Sequence, residues 1–430
     1  MMKKLILFSL ICLASVATNA QGGGIVGAWT GKLNVFGNEL TLVFHLDSVD
    51  CKLDSPDQGI KGVPAKLERT ETGIKVAIPS INAIYEGVNM GDSVTGTFKQ
   101  HGQPFSLTLK PGLVKRNRPQ TPAPPYPYQM QEVSFNNGDA VLKGTLVTPE
   151  KVSPQTPVLL MVTGSGLQNR DEEIFEHKPF AVIADALARQ GIVTLRYDDR
   201  GFGESKGDLV NVTTEDFKND ALAGVELLRK QFKHVGILGH SEGGTIGLML
   251  AAEGKVDFVI SLAGMVVSGE KTLMEQNRWT LQQSLYPQDV IDRYCTALKS
   301  LFDELKAGRN PEQTSHGLPT ELEKNLQLAQ AQSSTPYMRH FLALDLSDRL
   351  GKISCPVLAL NGTKDRQVNG EENLNALRNG LAGQKEIRVI EGVNHLFQHC
   401  NTGNPSEYKD IEETFAPNAL EIIVAWMKKR

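Results

Sequence analysis

Between residues 25 and 109, apolar and polar positions alternate over short stretches: GAWTGKLNV, ELTLVFHL, GIKVAIPSI, SVTGTFKQ and FSLTLK. Alternation with a period of two belongs to strands that cover one face. The turn-formers FGN, DSPDQG, MGD and HGQP separate the stretches, and no helical period intervenes. The pattern predicts a small all-β domain over residues 21–110, a sandwich or small barrel. Proline then crowds PGLVKRNRPQTPAPPYPY, residues 111–128. That density excludes regular strand pairing and predicts a semi-rigid linker, in which Lys115, Arg116 and Arg118 serve solubility.

From Gln129 onward the rhythm changes to continuous apolar runs: PVLLMV, IVTLRY, VGIL, FVISLA, PVLAL and IRVI. Unbroken runs suit strands covered on both faces, as in a parallel sheet. Helix-like segments lie between most of them. PFAVIADALARQG ends at Gly191, a suitable helix stop. TTEDFKNDALAGVELLRK starts with Thr214 as its expected N-cap, followed by acids that suit a helix N-terminus. Residues near Val133 and Val141 predict a leading hairpin at one sheet edge. The alternation predicts an α/β domain over residues 129–430. It breaks only at about 267–350, where helical patterns replace the single expected crossover and predict an inserted cap over the strand ends.

Composition supports two globular domains and narrows the partners. The 430 residues exceed what one core usually serves, and 40% are hydrophobic against 22% charged. A net charge of −4 gives no electrostatic case for nucleic acid. The first 20 residues, MMKKLILFSLICLASVATNA, carry Lys3 and Lys4, an apolar run and small residues ending at Ala20. This predicts a cleaved export signal and a mature chain beginning near Gln21, periplasmic or extracellular. The apolar run is too short to span a bilayer, no later segment is apolar enough to do so, and the context of Cys12 is unlike a lipid-attachment site. Cys51, Cys295, Cys355 and Cys400 remain, able to pair in three ways or to stay free and buried.

The candidate chemistry sits after the run VGIL, where GHSEG places Ser241 between a strand and a helix starting near Glu242. Glycines at 239 and 243 fit a turn too sharp for side chains there, the nucleophile elbow. Such a turn lifts the Ser241 hydroxyl above the sheet and aims the Glu242 N–H at a developing oxyanion. A serine hydroxyl needs a base, and the base needs an anion to orient it. On this fold the chain order is serine, acid, histidine. Asp365 follows the run PVLALNG and His395 follows IRVIEG, so both stand beyond strand ends. Asp345, Asp348 and Glu391 are the rival acids, of which the first two precede their strand and the third lies too close to its own. His240 is expected to support the elbow. The loop TGSGLQNRDE offers the second oxyanion donor, the Ser165 N–H, with Gly166 next. In YDDRGFGESKG, Asp199 and Arg200 are expected to brace the rim by ion pairing. HLFQHC places His395 and His399 at helical spacing, but no supporting carboxylate motif accompanies them, so no metal is expected.

With GSG at Gly164, DDRGFGES at Asp198, GHSEGG at Gly239, NGTKD at Asn361 and GVNH at Gly392, the chain from about Gln129 resembles the α/β-hydrolase family. Within it the chain is similar to exported bacterial esterases of the serine-aminopeptidase-like branch, some of which carry a β-rich N-terminal domain. The resemblance implies Ser241 as nucleophile, Asp365 as acid and His395 as base. Thr163 departs from the histidine that many members carry at that point of the oxyanion loop. The expected activity is hydrolysis of small-molecule carboxylic esters through an acyl-enzyme, with no cofactor. A histidine base further implies that kcat/KM falls below roughly pH 6 to 7. Two alternatives stand beside it. One is an aminopeptidase or dipeptidyl-peptidase-like enzyme, which needs cap acids such as Glu270 or Glu275 to hold a substrate amine. The other is a non-catalytic carbohydrate- or surface-binding protein.

Overall fold

The structure, a computed structural model, describes residues 25–35, 38–47, 51–58, 60–100, 102–113, 116–284, 286–312 and 314–430. The expected export signal, Cys12 and Lys115 lie outside the described residues. The chain divides into two compact units: residues 1–118 together with Glu173–His177, and residues 119–172 together with 178–430.

The first unit is a closed meander of eight antiparallel strands. They are β1 (Gly27–Val35), β2 (Asn38–Leu46), β3 (Cys51–Ser55), β4 (Ile60–Arg69), β5 (Gly73–Ile78), β6 (Ala83–Asn89), β7 (Val94–Gln100) and β8 (Gln103–Pro111). Closure comes from β1 pairing with β8 through Trp29–Gly31, so of the two expected architectures the barrel forms. Gly31 is needed there, because a Cβ would stand 2.6 Å from the Thr108 carbonyl oxygen. The predicted alternation becomes the two barrel faces, with Leu33, Phe44, Tyr85, Phe98 and Leu107 buried inside. The Tyr85 hydroxyl donates to the Val94 carbonyl at 2.8 Å, which lets a phenol sit in an apolar interior. Eight strands leave an interior that side chains can fill. The residual cavity of about 10 Å³ among Leu33, Leu42, Leu53, Phe98 and Gln100 is about the space of one water. Arg116 corrects the expectation of a merely soluble linker: its guanidinium pairs with the buried Asp57 at 2.7 Å. Arg118 likewise donates to the Phe175 carbonyl at 2.8 Å.

The second unit is built on one eight-stranded, mostly parallel sheet. Its strands are β9 (Tyr128–Asn137), β10 (Ala140–Pro149), β11 (Val158–Val162), β12 (Val193–Tyr197), β13 (Val235–His240), β14 (Val259–Leu262), β15 (Val357–Gly362) and β16 (Lys385–Ile390). They lie in the order β16-β15-β14-β13-β11-β12-β10-β9, parallel from β11 to β16, with the β9–β10 hairpin antiparallel at one edge. The apolar runs follow from burial on both faces. In β11, Val158, Leu160 and Val162 enter one core and Leu159 and Met161 the other; in β15, Val357 and Ala359 oppose Leu358 and Leu360. Helices α1 (Pro179–Ala188) and α9 (Pro417–Met427) cover one face. Helices α2 (Thr214–Arg229) and α3 (Glu242–Ala252) cover the other. Thr213, one residue before the expected cap, is the N-cap of α2, in a reciprocal capping box with Asp216.

Between β14 and β15 the cap comprises α4 (Gly269–Gln282), α5 (Gln288–Lys306), α6 (Thr320–Ser333) and α7 (Pro336–Ala343), with α8 (Gly370–Gly380) following β15. Its longest helix, α5, buries Ile291, Tyr294, Leu298, Leu301, Phe302 and Leu305 along one stripe, as a helix packed on one face must.

Candidate active site

Ser241 stands between the last residue of β13 and the first of α3, with φ 53° and ψ −119°. A non-glycine residue there stores strain, held by its surroundings. The neighbouring glycines have a steric cause. A Cβ at position 239 would lie 2.0 Å from the Gly243 carbonyl oxygen, and one at 243 would lie 2.0 Å from that of Val162. The Ser241 N–H donates to the Leu262 carbonyl at 2.8 Å, anchoring the turn to β14. Glu242 begins α3, so its N–H belongs to the free first turn of a helix.

Asp365 stands three residues beyond β15 and His395 five beyond β16, on the same side of the sheet as Ser241, at the strand C-terminal ends. The His395 Nδ1 and the Asp365 Oδ2 are 2.8 Å apart, with both side chains essentially buried. The other oxygen, Oδ1, accepts the N–H groups of Gln367 at 2.8 Å and Val368 at 2.9 Å, which fixes the carboxylate and compensates its burial. Asp365 is the acid the structure brings to His395; Asp345 caps its own turn through the Ser347 N–H.

The loop after β11 closes over the elbow. At Gly164 a Cβ would come within 3.2 Å of the Ser241 Cβ, a tight contact that glycine avoids. Gly164 donates its N–H to the Glu172 Oε1 at 2.8 Å. Thr163 and the Gln168 N–H both donate to Asp199, at 2.8 and 2.7 Å. Arg200 makes its ion pair with Asp220 of α2, at 2.6 Å. The expected ion pair forms at Arg200, which ties α2, whereas Asp199 ties the loop after β11 through hydrogen bonds. His399 is drawn to Glu413 at 2.9 Å and bridges Val393, so it shares no helix face with His395.

Three contributors escaped the sequence. Tyr337 of α7 donates its phenol to the Glu242 Oε2, and the Ser165 side chain hydrogen-bonds the same phenol. Burial, reinforced by the Glu242 carboxylate, holds that phenol protonated well above the usual tyrosine range. Thr214 donates to the Glu242 Oε1 at 2.7 Å. Glu172 binds the His240 Nδ1 at 2.9 Å. Nothing in NRDEE singles out one acid of three, and no spacing rule joins a cap tyrosine to an elbow some 95 residues away.

Several known proteins are similar to this chain. Esterase EstD of Thermotoga maritima is 27% identical over 304 residues, covering 69% of this chain and 68% of that one. Among solved structures, Est1E of Butyrivibrio proteoclasticus is 17% identical, covers 69% of this chain and 98% of its own, and superposes with a TM-score of 0.43. The proline iminopeptidase of Mycobacterium smegmatis is also 17% identical, with coverage of 70% and 98% and a TM-score of 0.45. Residues 137–401, from the β9–β10 turn through the His395 loop, match the model of the X-Pro dipeptidyl-peptidase (S15) family. An α/β-hydrolase sheet with a strained serine elbow, matched over most of the chain, makes this protein a serine hydrolase belonging to the X-Pro dipeptidyl-peptidase (S15) family.

Proposed function

We propose that the protein is an exported carboxylesterase in which Ser241, His395 and Asp365 form the triad. The buried His395–Asp365 pair at 2.8 Å carries this reading, because it leaves Nε2 of the imidazole as the nitrogen that can take a proton from a serine. His395 removes the Ser241 proton as the hydroxyl oxygen attacks the ester carbonyl. The Glu242 and Ser165 N–H groups hold the tetrahedral oxyanion, and His395 returns the proton to the departing alcohol. Water, deprotonated by His395, then attacks the acyl-enzyme and releases the acid. The esterase activity named for EstD favours an ester over an amide. So does the state of the cap acids: Glu270 is already engaged by Lys299 at 3.0 Å and by Lys306. Glu275 is pushed upward by burial and by the facing Glu372 carboxylate, which makes it a poorer anchor for an ammonium group.

Ser241→Ala is expected to abolish hydrolysis of a short p-nitrophenyl ester and labelling by a fluorophosphonate probe, with the circular dichroism unchanged. Full activity in that variant would end the proposal. Wild-type protein that resists the probe would revive the non-catalytic binding alternative. Export predicts that protein recovered from outside the cytoplasm begins near Gln21; recovery there of chain starting at Met1 would contradict it.

Membership in a family named for X-Pro dipeptidyl-peptidases favours amide cleavage as the second reading. A panel of p-nitrophenyl esters against aminoacyl and X-Pro p-nitroanilides decides. Higher kcat/KM on the anilides replaces the esterase reading with the peptidase one.

A further inference from the structure

His240, immediately before the elbow serine, occupies a position that constrains its charge. Its Nδ1 lies 2.9 Å from the Glu172 Oε1 and its Nε2 lies 2.8 Å from the carbonyl oxygen of His395. The carbonyl has no proton to give. The Glu172 Oε1 also accepts the Gly164 N–H at 2.8 Å, and as a carboxylate oxygen it has only lone pairs to offer the ring. Both ring nitrogens therefore face acceptors, and a neutral imidazole has one N–H to offer. Beside an ionised Glu172, only the imidazolium satisfies the two contacts.

We propose that Glu172 and His240 form a buried carboxylate–imidazolium pair that positions the elbow, the oxyanion loop and the His395 loop together, and that deprotonation of His240 produces the alkaline limb of the activity. His240 and Glu172 are positioning residues, since each acts through the backbone it holds.

The pair joins three loops that follow three strands. Glu172 reaches back to Gly164, which lies against Ser241; His240 reaches across to the backbone of His395. The Glu172 backbone is itself in the left-handed region, φ 53°, a conformation unfavourable for a residue with a side chain. Both side chains are nearly sequestered, at 8% and 4% exposure, so solvent screens the pair little. The titratable groups around the ring are Glu172, Asp365 and His395, whose ring centroid is 4.8 Å away; Phe397 supplies an uncharged wall. Burial alone would push the His240 pKa down. The Glu172 carboxylate, the hydrogen bond to His395 and Asp365 outweigh it, and the net direction is upward.

The sign follows from that direction. A histidine raised on folding contributes its stabilisation fully below its unfolded pKa and loses it as pH rises through the folded value. Once the proton leaves, one of the two contacts becomes an acceptor facing an acceptor, and either the Glu172 side or the His395 loop moves away. Misplacement of reacting groups by about 1 Å can cost roughly 10²-fold in rate. His395 must be neutral to act as base, so acid and alkaline limbs belong to different histidines.

The activity half of this inference rests on the proposed triad; the charge half does not. The test uses the full-length protein labelled with 15N-histidine, with the His240 ring assigned through its contacts with Phe397. At neutral pH both ring nitrogens of His240 are expected to carry protons. Glu172→Gln keeps an oxygen for the Gly164 N–H but removes the charge. It is expected to move the His240 titration, and with it the alkaline limb of kcat, down by about one to three pH units. KM and the acid limb stay in place. A single protonated nitrogen on wild-type His240 at neutral pH would overturn the pair even if no variant folded. An alkaline limb at the same pH in Glu172→Gln would overturn the link to activity. Should the wild type lack hydrolase activity while its His240 titrates as described, the charge pair stands and the triad reading is the one that fails.

Discussion

Ser241 holds an unfavourable backbone conformation because the residues around it allow no other. Its neighbours at 239 and 243 cannot carry a Cβ, its N–H is fixed to β14, and Gly164 lies against its own Cβ. The same over-determination extends to Asp365, where one oxygen takes the His395 ring and the other takes two backbone N–H groups. Asp365→Asn keeps the size of that side chain but replaces one oxygen by an amide NH₂. If Nδ2 faces the histidine, the Nδ1–H contact is lost and the imidazole turns to the wrong tautomer for accepting a serine proton. We expect kcat on a p-nitrophenyl ester to fall roughly 10⁴-fold with a native melting temperature, as a misoriented triad histidine requires. A loss of less than tenfold, measured on correctly folded variant, would remove Asp365 from the triad.

At the scale of elements, the cap and the sheet meet through α7. Tyr337 reaches from that helix to the Glu242 carboxylate at the start of α3, and Thr214 at the start of α2 holds the other oxygen. The phenol ring also packs edge-on against Phe217 of α2, centroids 6.2 Å apart. Two helix N-termini and one cap helix thus converge on the residue whose N–H is the proposed oxyanion donor. Tyr337→Phe retains the ring and removes the hydroxyl, leaving a buried carboxylate oxygen short of a donor. Such deletions cost about 1–3 kcal/mol. The expected result is a lower melting temperature and a reduced kcat, read by calorimetry and by ester kinetics on the same preparation. A variant with unchanged stability and kcat would show that α7 merely covers the site. α2 and α3 were legible as helices because their apolar spacing is local; the convergence at Glu242 was not, because its partners lie 28 and 95 positions away in the chain.

Across the whole molecule the four cysteines beyond residue 20 are free thiols. Burial pushes Cys51 and Cys355 up to about 11, with the Asp47 carboxylate adding to the first. Since the thiolate is the reactive form, both are expected to resist a maleimide at pH 8 in the native protein and to react in denaturant. Reductant is expected to leave the melting temperature unchanged. A melting temperature that falls with reductant would reveal a cross-link. The proposed export would make such inertness useful, since an oxidising compartment punishes exposed thiols.

What the sequence by itself determined is whatever depends on near neighbours. The period-two alternation required strands with one covered face, the unbroken apolar runs required strands covered on both, and the glycine spacing around Ser241 required a sharp turn. The positions of Asp365 and His395 beyond strand ends followed from the same logic, since a parallel sheet gathers its C-terminal ends at one edge. Only the tertiary structure decided that the β region closes as a barrel, because closure is a pairing between β1 and β8 that no local period encodes. It alone decided that Arg116 seeks the buried Asp57, that Tyr337 reaches Glu242, and that Glu172 meets His240. Those choices turn on which polar groups are left without water when the chain packs, and a buried group takes the partner the fold brings within reach, however distant in the chain.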